Sequence, residues 1–325
     1  MPRAVIADQL GPIDHYSLRE HDPGPPGPGQ VRLRLKAAGV SFVDVLTAEG
    51  GYHVNPPVPF IPGSEFAGVV EAIGADVAGL SVGQQVAGSS WGGVFAEAAT
   101  FSVRSVRPLP SGLSFEEAAV FPSSYGTVWH SLIDRANLQQ GETLLVLGAG
   151  GASGYAAVQV GKYLGARVIA SASSQSKRAL ALNGGADATV DTRAPTWRQD
   201  VLAANNGKPV DVVFDPVGGS ATEPAFRALG WKGRHLIVGF PGGIASLPTN
   251  LPLLKGASLI GINLRQFSLS EPARANANQE AVFALAAQGR FRPALAKSFQ
   301  LEHFAQAMAE VKSGRLAGRV VLVMP

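Results

Sequence analysis

The stretch Leu144-Leu-Val-Leu-Gly-Ala-Gly-Gly-Ala-Ser-Gly154 constrains this chain more than any other. An aliphatic run passes directly into four glycines and then into a helical pattern, where Ala157, Val160, Gly161 and Leu164 recur along one face. Such a turn lets the backbone reverse sharply, brings bare amides close to an anionic group and aims a helix N-terminus at its charge. Those are the parts a dinucleotide site needs, in the order it needs them. Gly148, Gly151 and Gly154 stand three apart, a variant of the GxGxxG spacing in which Ser153 takes the strict last position. The candidate phosphate contacts are therefore Gly148, Gly150, Gly151, Ala152, Ser153 and Gly154. A glycine-rich turn with no ligand is the alternative, and the β–α–β pattern on both sides argues against it.

From Glu142 onward, short aliphatic runs at Thr143–Leu147, Arg167–Ala170, Asp211–Phe214 and His235–Val238 alternate with helical stretches. This order predicts a parallel sheet covered on both faces. The first third reads differently. After a Pro/Gly-dense turn at Asp22–Gly29, Val31, Leu33 and Leu35 alternate with Arg32, Arg34 and Lys36, the period of a half-buried strand. Further apolar runs at Gly68–Ile73 and Val94–Phe101 predict a small, mostly antiparallel barrel or sandwich. Near the other end, a helical pattern around His303–Val311 precedes an apolar strand, Arg319–Met324, expected to return to the first domain. A length of 325 residues agrees with two domains.

Composition narrows the chemistry. The net charge of +3 comes from Lys and Arg scattered along the chain, which does not favour nucleic acid. There is no cysteine, so disulfides, thiol nucleophiles and cysteine-ligated zinc are excluded. The six histidines show no ligand spacing, and no metal is expected. No apolar stretch approaches the length of a membrane span, and a cytoplasmic protein is the expectation.

The choice of nucleotide depends on the end of the second strand. An NAD site places a carboxylate there, roughly 20 residues beyond the glycines, to hold the ribose hydroxyls. Here no Asp or Glu occurs between Gly165 and Asp187. The hydroxyls of Ser173 and Ser174 and the cations Lys177 and Arg178 occupy the region instead and suit a 2′-phosphate, so NADPH is favoured. The other reading is a solvated helix start with ordinary surface cations.

Several further motifs occur in register with these: Ala38-Gly-Val-Ser-Phe-Val-Asp-Val45, Pro62-Gly-Ser-Glu-Phe-Ala-Gly68, Val82-Gly-Gln-Gln-Val86, Leu164-Gly-Ala-Arg-Val168, Gly184-Gly-Ala-Asp187 and Asp215-Pro-Val-Gly-Gly219. With them the whole chain resembles the medium-chain dehydrogenase/reductase superfamily, specifically its zinc-independent quinone oxidoreductase branch. The resemblance implies an α/β fold. A GroES-like, mostly β domain would come from residues 1–118 and 290–325, and a Rossmann domain with a doubly wound parallel sheet from 119–289. It also implies a homodimer formed by pairing Rossmann sheet edges, here around Arg234–Leu264. The activity implied is NADPH-dependent hydride transfer to a quinone or another conjugated carbonyl.

Zinc-dependent relatives of this kind carry a ligand cysteine near the position of Ser41 and a Gly-His-Glu run in place of Gly63-Ser64-Glu65; this chain has neither the thiol nor the imidazole. Thr127 and Lys177 match cofactor-contact positions of the branch. Ser41 stands where the branch usually has an Asn near the nicotinamide, and Thr192 where it has a Tyr near the adenosine phosphate. Gly239, Phe240 and Asn263 complete the cofactor candidates. Tyr52 aligns with a cleft tyrosine that is either a proton donor or a wall for a planar substrate; Tyr52 and Ser41 are the catalytic candidates. Asp44 is either an acid–base group or a brace for its loop, and Glu65 is expected to be tied to an Arg or Lys. His53 and His130 read as packing or polar contacts, and Trp129, Phe42 and Phe240 as walls. Two rival functions remain open: an enoyl-thioester or enone reductase, and a non-catalytic NADPH-binding protein with a structural or regulatory role.

Overall fold

The computed structural model describes residues 1–52 and 54–325. In chain order the strands are β1 Arg3–Ile6, β2 Ser17–Glu20, β3 Gln30–Val40, β4 Glu65–Ile73, β5 Gln85–Ser89, β6 Ala98–Ser102, β7 Val106–Pro108, β8 Thr143–Val146, β9 Arg167–Ala172, β10 Ala188–Asp191, β11 Val210–Asp215, β12 Leu229–Ile237, β13 Ser258–Gly261, β14 Leu295–Gln300 and β15 Arg319–Val323. They divide between two units, residues 1–123 with 286–325, and residues 124–285.

In the second unit the strand order is β10-β9-β8-β11-β12-β13, with every pairing parallel. The strands read as unbroken aliphatic runs because both faces of the sheet are covered; all of β8 is buried, as are Val210, Val212, Val213 and Phe214 of β11. The helix Ala152–Tyr163 joins β8 to β9 and buries Ala157, Val160 and Gly161, the face expected of it. Winding reverses between β8 and β11. A doubly wound sheet binds its ligand at such a switch point, outside the carboxyl ends of the strands, and the glycine-rich turn leaves β8 there. The boundary that departs furthest from expectation is the start of β12. β12 begins at Leu229 and runs through Gly230, Trp231, Lys232 and Gly233 before reaching His235. Two glycines and a lysine at positive φ (60°) hide that half of the strand from any apolar pattern.

In the first unit the order is β14-β15-β3-β4-β5-β7, with β6 also on β3. Val31, Leu33 and Leu35 are fully buried while Arg34 faces out, the alternation their spacing predicted. Phe66 of β4 and Phe101 of β6 stack at 4.2 Å in the same core, which Val320 and Leu322 complete. β15 pairs antiparallel with β3, from Val320 opposite Val40 to Val323 opposite Ala37, so the last strand does return to the unit that opens the chain. Among the described residues no helix is long and apolar enough to cross a membrane.

Candidate functional site

The glycine-rich turn is built for close approach. Gly148 takes φ +59°, and its carbonyl accepts from Gly151 N at 2.9 Å. Gly151 is the N-cap of the helix Ala152–Tyr163, and no side chain caps that N-terminus among the described residues. The amides of its first turn, at Ala152, Ser153 and Gly154, therefore keep the partial positive charge of an uncapped helix start. A Cβ on Gly154 would lie 2.2 Å from Gly148 O, so only glycine lets the helix pack this tightly on the turn. A Cβ on Gly150 would meet Lys177, at 2.4 Å from Cβ and 3.0 Å from Cα. Two glycines thus let the turn, the helix after it and Lys177 pack closer together than any Cβ would allow.

At the end of β9, Ser174 caps the helix Gln175–Asn183, its Oγ accepting from Lys177 N at 3.3 Å. Ser173 is half-buried, and burial lowers the pKa of the Lys177 ammonium. Arg178 donates to Ala172 O at 3.1 Å and pairs with Asp191 at 2.9 Å, so this expected phosphate cation has a carboxylate partner. Hydrogen bonds from the side chain and backbone of Arg193, with Arg178 beside it, hold Asp191 down at about 2. Thr192, half-buried, lies against the end of β9 through its amide and Ala172 O, 3.4 Å apart.

Three further candidates, Gly239, Phe240 and Asn263, follow strands at the same end of the sheet. Gly239 and the 53% exposed Phe240 follow β12, beside the turn Pro216–Gly219 that follows β11. Thr127 lies on the helix Pro122–Trp129, which Tyr125 ties to the helix Ala152–Tyr163 by a 2.7 Å bond to Gln159 Oε1. Asn263 lies just past β13, and its side chain accepts from Gln266 N, capping the helix Leu264–Ser270. His130 makes the polar contact expected of it, to Asp134 Oδ2 at 2.8 Å, and stacks on Phe267.

The first unit holds Ser41 and Tyr52. Ser41 is the N-cap of the helix Phe42–Ala48: its Oγ accepts from Asp44 N at 3.1 Å and donates to Asp44 Oδ2 at 2.7 Å, while Ser41 N donates to the same oxygen at 2.7 Å. Asp44 is therefore the brace, in a capping box that the Ser-x-x-Asp spacing announces. Burial pushes its carboxyl up to about 6 against hydrogen bonds from Ser41 and Ser64, with Glu65 adding to the rise. Glu65 is tied as expected. It receives Arg319 Nη2 at 2.6 Å and Ser123 N at 2.8 Å, with both charges buried. Tyr52 is half-buried in the bend beyond the helix, and His53 lies outside the described residues.

Residues 27–111 match the family model described as alcohol dehydrogenase GroES-like domain, and residues 152–282 the one described as zinc-binding dehydrogenase. Over 324 residues the chain is 35% identical to quinone oxidoreductase-like protein 2 of Mus musculus, covering 98% of this chain and 91% of that protein. Among solved structures, one described as an NAD-dependent alcohol dehydrogenase aligns with a TM-score of 0.91 at 28% identity, over 99% of this chain and 100% of that one. The CurK enoyl reductase aligns with a TM-score of 0.90 at 26% identity, over 100% and 99%.

Proposed function

This chain belongs to the medium-chain dehydrogenase/reductase superfamily, in its quinone oxidoreductase branch, and we propose that it is an NADPH-dependent, zinc-independent reductase of quinones or other conjugated carbonyls. The observation that carries this reading is the bare turn Gly148–Gly154 with Lys177 packed against Gly150 and no carboxylate on the intervening end of β9. A reduced nicotinamide bound there supplies a hydride.

The chain's own groups do the rest. The backbone amides at the start of the helix Ala152–Tyr163 receive the pyrophosphate, and Lys177 with Ser173 receives the 2′-phosphate. Arg178, already neutralised by Asp191, contributes less.

Zinc does not suit the residues present. Ser41 and Ser64 both hydrogen-bond Asp44, Glu65 is locked by Arg319, and the chain has no cysteine. Among the described residues no group of three or more His, Asp or Glu could hold a metal ion. A carbonyl acceptor must then be electrophilic without a Lewis acid, which favours a quinone or enone over a simple ketone. Tyr52 is the proton donor for alkene reduction, or else the wall on which the substrate stacks. The edge strand β13 with the exposed Trp231 (71%), Leu253 (78%) and Leu259 (44%) supports pairing of two copies into a homodimer.

The test is cofactor oxidation with a panel of quinones, enones and enoyl thioesters, with NADPH and NADH in parallel and with and without EDTA. Quinone turnover preferring NADPH and indifferent to EDTA is expected. Turnover confined to enoyl thioesters would favour the second reading, to which the likeness to the CurK enoyl reductase lends support. Binding without turnover would favour a non-catalytic role, and loss of activity to EDTA would overturn the zinc-independent mechanism.

A further inference from the structure

The switch point of the sheet is closed on its far side by the turn Pro216–Gly219, whose shape is set from beneath. Asp215, the last residue of β11, is 2% exposed. Its Oδ1 accepts from Val217 N at 2.9 Å and Gly218 N at 2.8 Å, and its Oδ2 from Thr222 Oγ1 at 2.7 Å and His235 Nε2 at 3.1 Å. Burial alone would raise this carboxyl, but the donors from His235, Gly218 and Thr222 outweigh it and hold it below the ordinary range. His235 is fully buried, and its Nδ1 has no hydrogen-bond partner among the described residues. Nε2 is the ring's donor to Asp215, because a carboxylate oxygen only accepts.

The turn that Asp215 shapes touches both neighbouring loops. Towards β8, a Cβ on Gly148 would lie 2.8 Å from Val217 Cγ2, so Val217 packs directly on the first glycine of the phosphate turn. Towards β12, Gly219 N donates to Gly243 O at 2.7 Å, and Gly242 N donates to Val217 O at 2.8 Å. The loops after β8, β11 and β12 interlock, and Asp215 is the side chain that shapes the middle one from beneath.

We propose that Asp215 and His235 are positioning residues for the cofactor, holding Val217 against Gly148 so that the nicotinamide half of the dinucleotide leaves the phosphate turn along one fixed path. The proposal rests on the cofactor reading above. On that reading the adenosine half would be held by Ser173 and Lys177 beyond β9, on the opposite side of β8 from this turn. An Asn at position 215 would point its amide N–H groups either at two backbone donors or at Thr222 and His235. In the second case the His235 proton would be driven to Nδ1, where it has no acceptor.

The experiment is calorimetric titration of the parent, Asp215→Asn, His235→Phe and Thr222→Val with NADPH and with adenosine 2′,5′-bisphosphate, which carries the adenosine half alone. Asp215→Asn and His235→Phe are expected to weaken NADPH about tenfold while the bisphosphate stays within about twofold, and Thr222→Val to show the same pattern less strongly. If Asp215→Asn does not fold, the two variants that keep the carboxylate carry the comparison. Should both ligands weaken together, or neither weaken while only the melting temperature falls, the residues are merely structural and the proposal is overturned. If the parent takes NADH instead, NADH is compared with ADP. A parent that binds neither cofactor removes the cofactor reading itself, and the proposal with it.

Discussion

Gly150→Ala tests the phosphate turn at its tightest point. The added methyl would lie 2.4 Å from Lys177 Cβ, 2.5 Å from Cγ and 3.0 Å from Cα. The outer part of the lysine can swing away, but Cα and Cβ are carried by the first turn of the helix Gln175–Asn183. Ordinary contact begins near 3.4 Å, so the glycine turn and that helix must part by about 1 Å. An amide donating to a phosphate from about 2.9 Å would then stand close to 4 Å away, beyond hydrogen-bond range. A hydrogen bond to a charged group is worth about 1.5–3 kcal/mol, so losing one weakens NADPH binding about 10- to 150-fold. NADH should lose less, because the displaced element carries the group that reads the 2′-phosphate. Calorimetric titration with each cofactor, at a temperature where thermal melting shows the variant folded, measures both losses. If the alanine variant binds NADPH within about twofold of the parent, the turn does not hold phosphate through these amides.

Three other outcomes are expected from the same structure. Lys177→Ala should weaken NADPH more than NADH, and equal losses in parallel titrations would remove its role at the 2′-phosphate. Tyr52→Phe should slow alkene reduction more than quinone reduction, because a hydroquinone anion takes its proton from solvent; an unchanged ratio of the two rates reduces Tyr52 to a wall. Asp44, pushed up from 3.8 to about 6, keeps its proton in the folded protein to higher pH than in the unfolded chain. Its ionised form therefore costs stability above about pH 6, and the cost fades as the pH falls towards 4. Asp44→Asn should gain up to about 3 kcal/mol on the parent between pH 4 and pH 7 in urea unfolding, and a difference independent of pH would contradict the burial argument.

Patterns of short period were legible before any coordinates. The alternation at Val31, Leu33 and Leu35, the aliphatic runs after Glu142 and the glycine turn foretold both sheets, whereas the strand order that puts the switch point between β8 and β11 had no local sign. The Ser41-x-x-Asp44 spacing likewise spells out a capping box. The helix Pro272–Ala287 stayed hidden because it buries only sparse positions (Ala275, Val282, Phe283 and Ala286) among Asn, Gln and Ala. So did the π turn His130–Arg135, whose hydrogen bonds have no sequence marker. The pairing of Arg178 with Asp191 depends on the parallel register that sets Asp191 opposite Ala172, and Arg319 reaches Glu65 across 254 residues. Contacts made by sheet register or by a returning strand leave no local trace, and they decide which charges remain available to a ligand.

The position of β15 has a consequence for how the protein is made. The nucleotide-binding half is one continuous stretch and can close while the ribosome is still translating residues 286–325. The half synthesised before it cannot, because Ala37–Val40 must wait for Val320–Val323, and Glu65 for Arg319. For most of translation the nascent chain thus exposes an apolar strand edge and a carboxylate destined for burial. A message cut short before the codons for β15 yields a completed nucleotide half joined to an unfinished antiparallel sheet, a species for chaperones and proteases to remove.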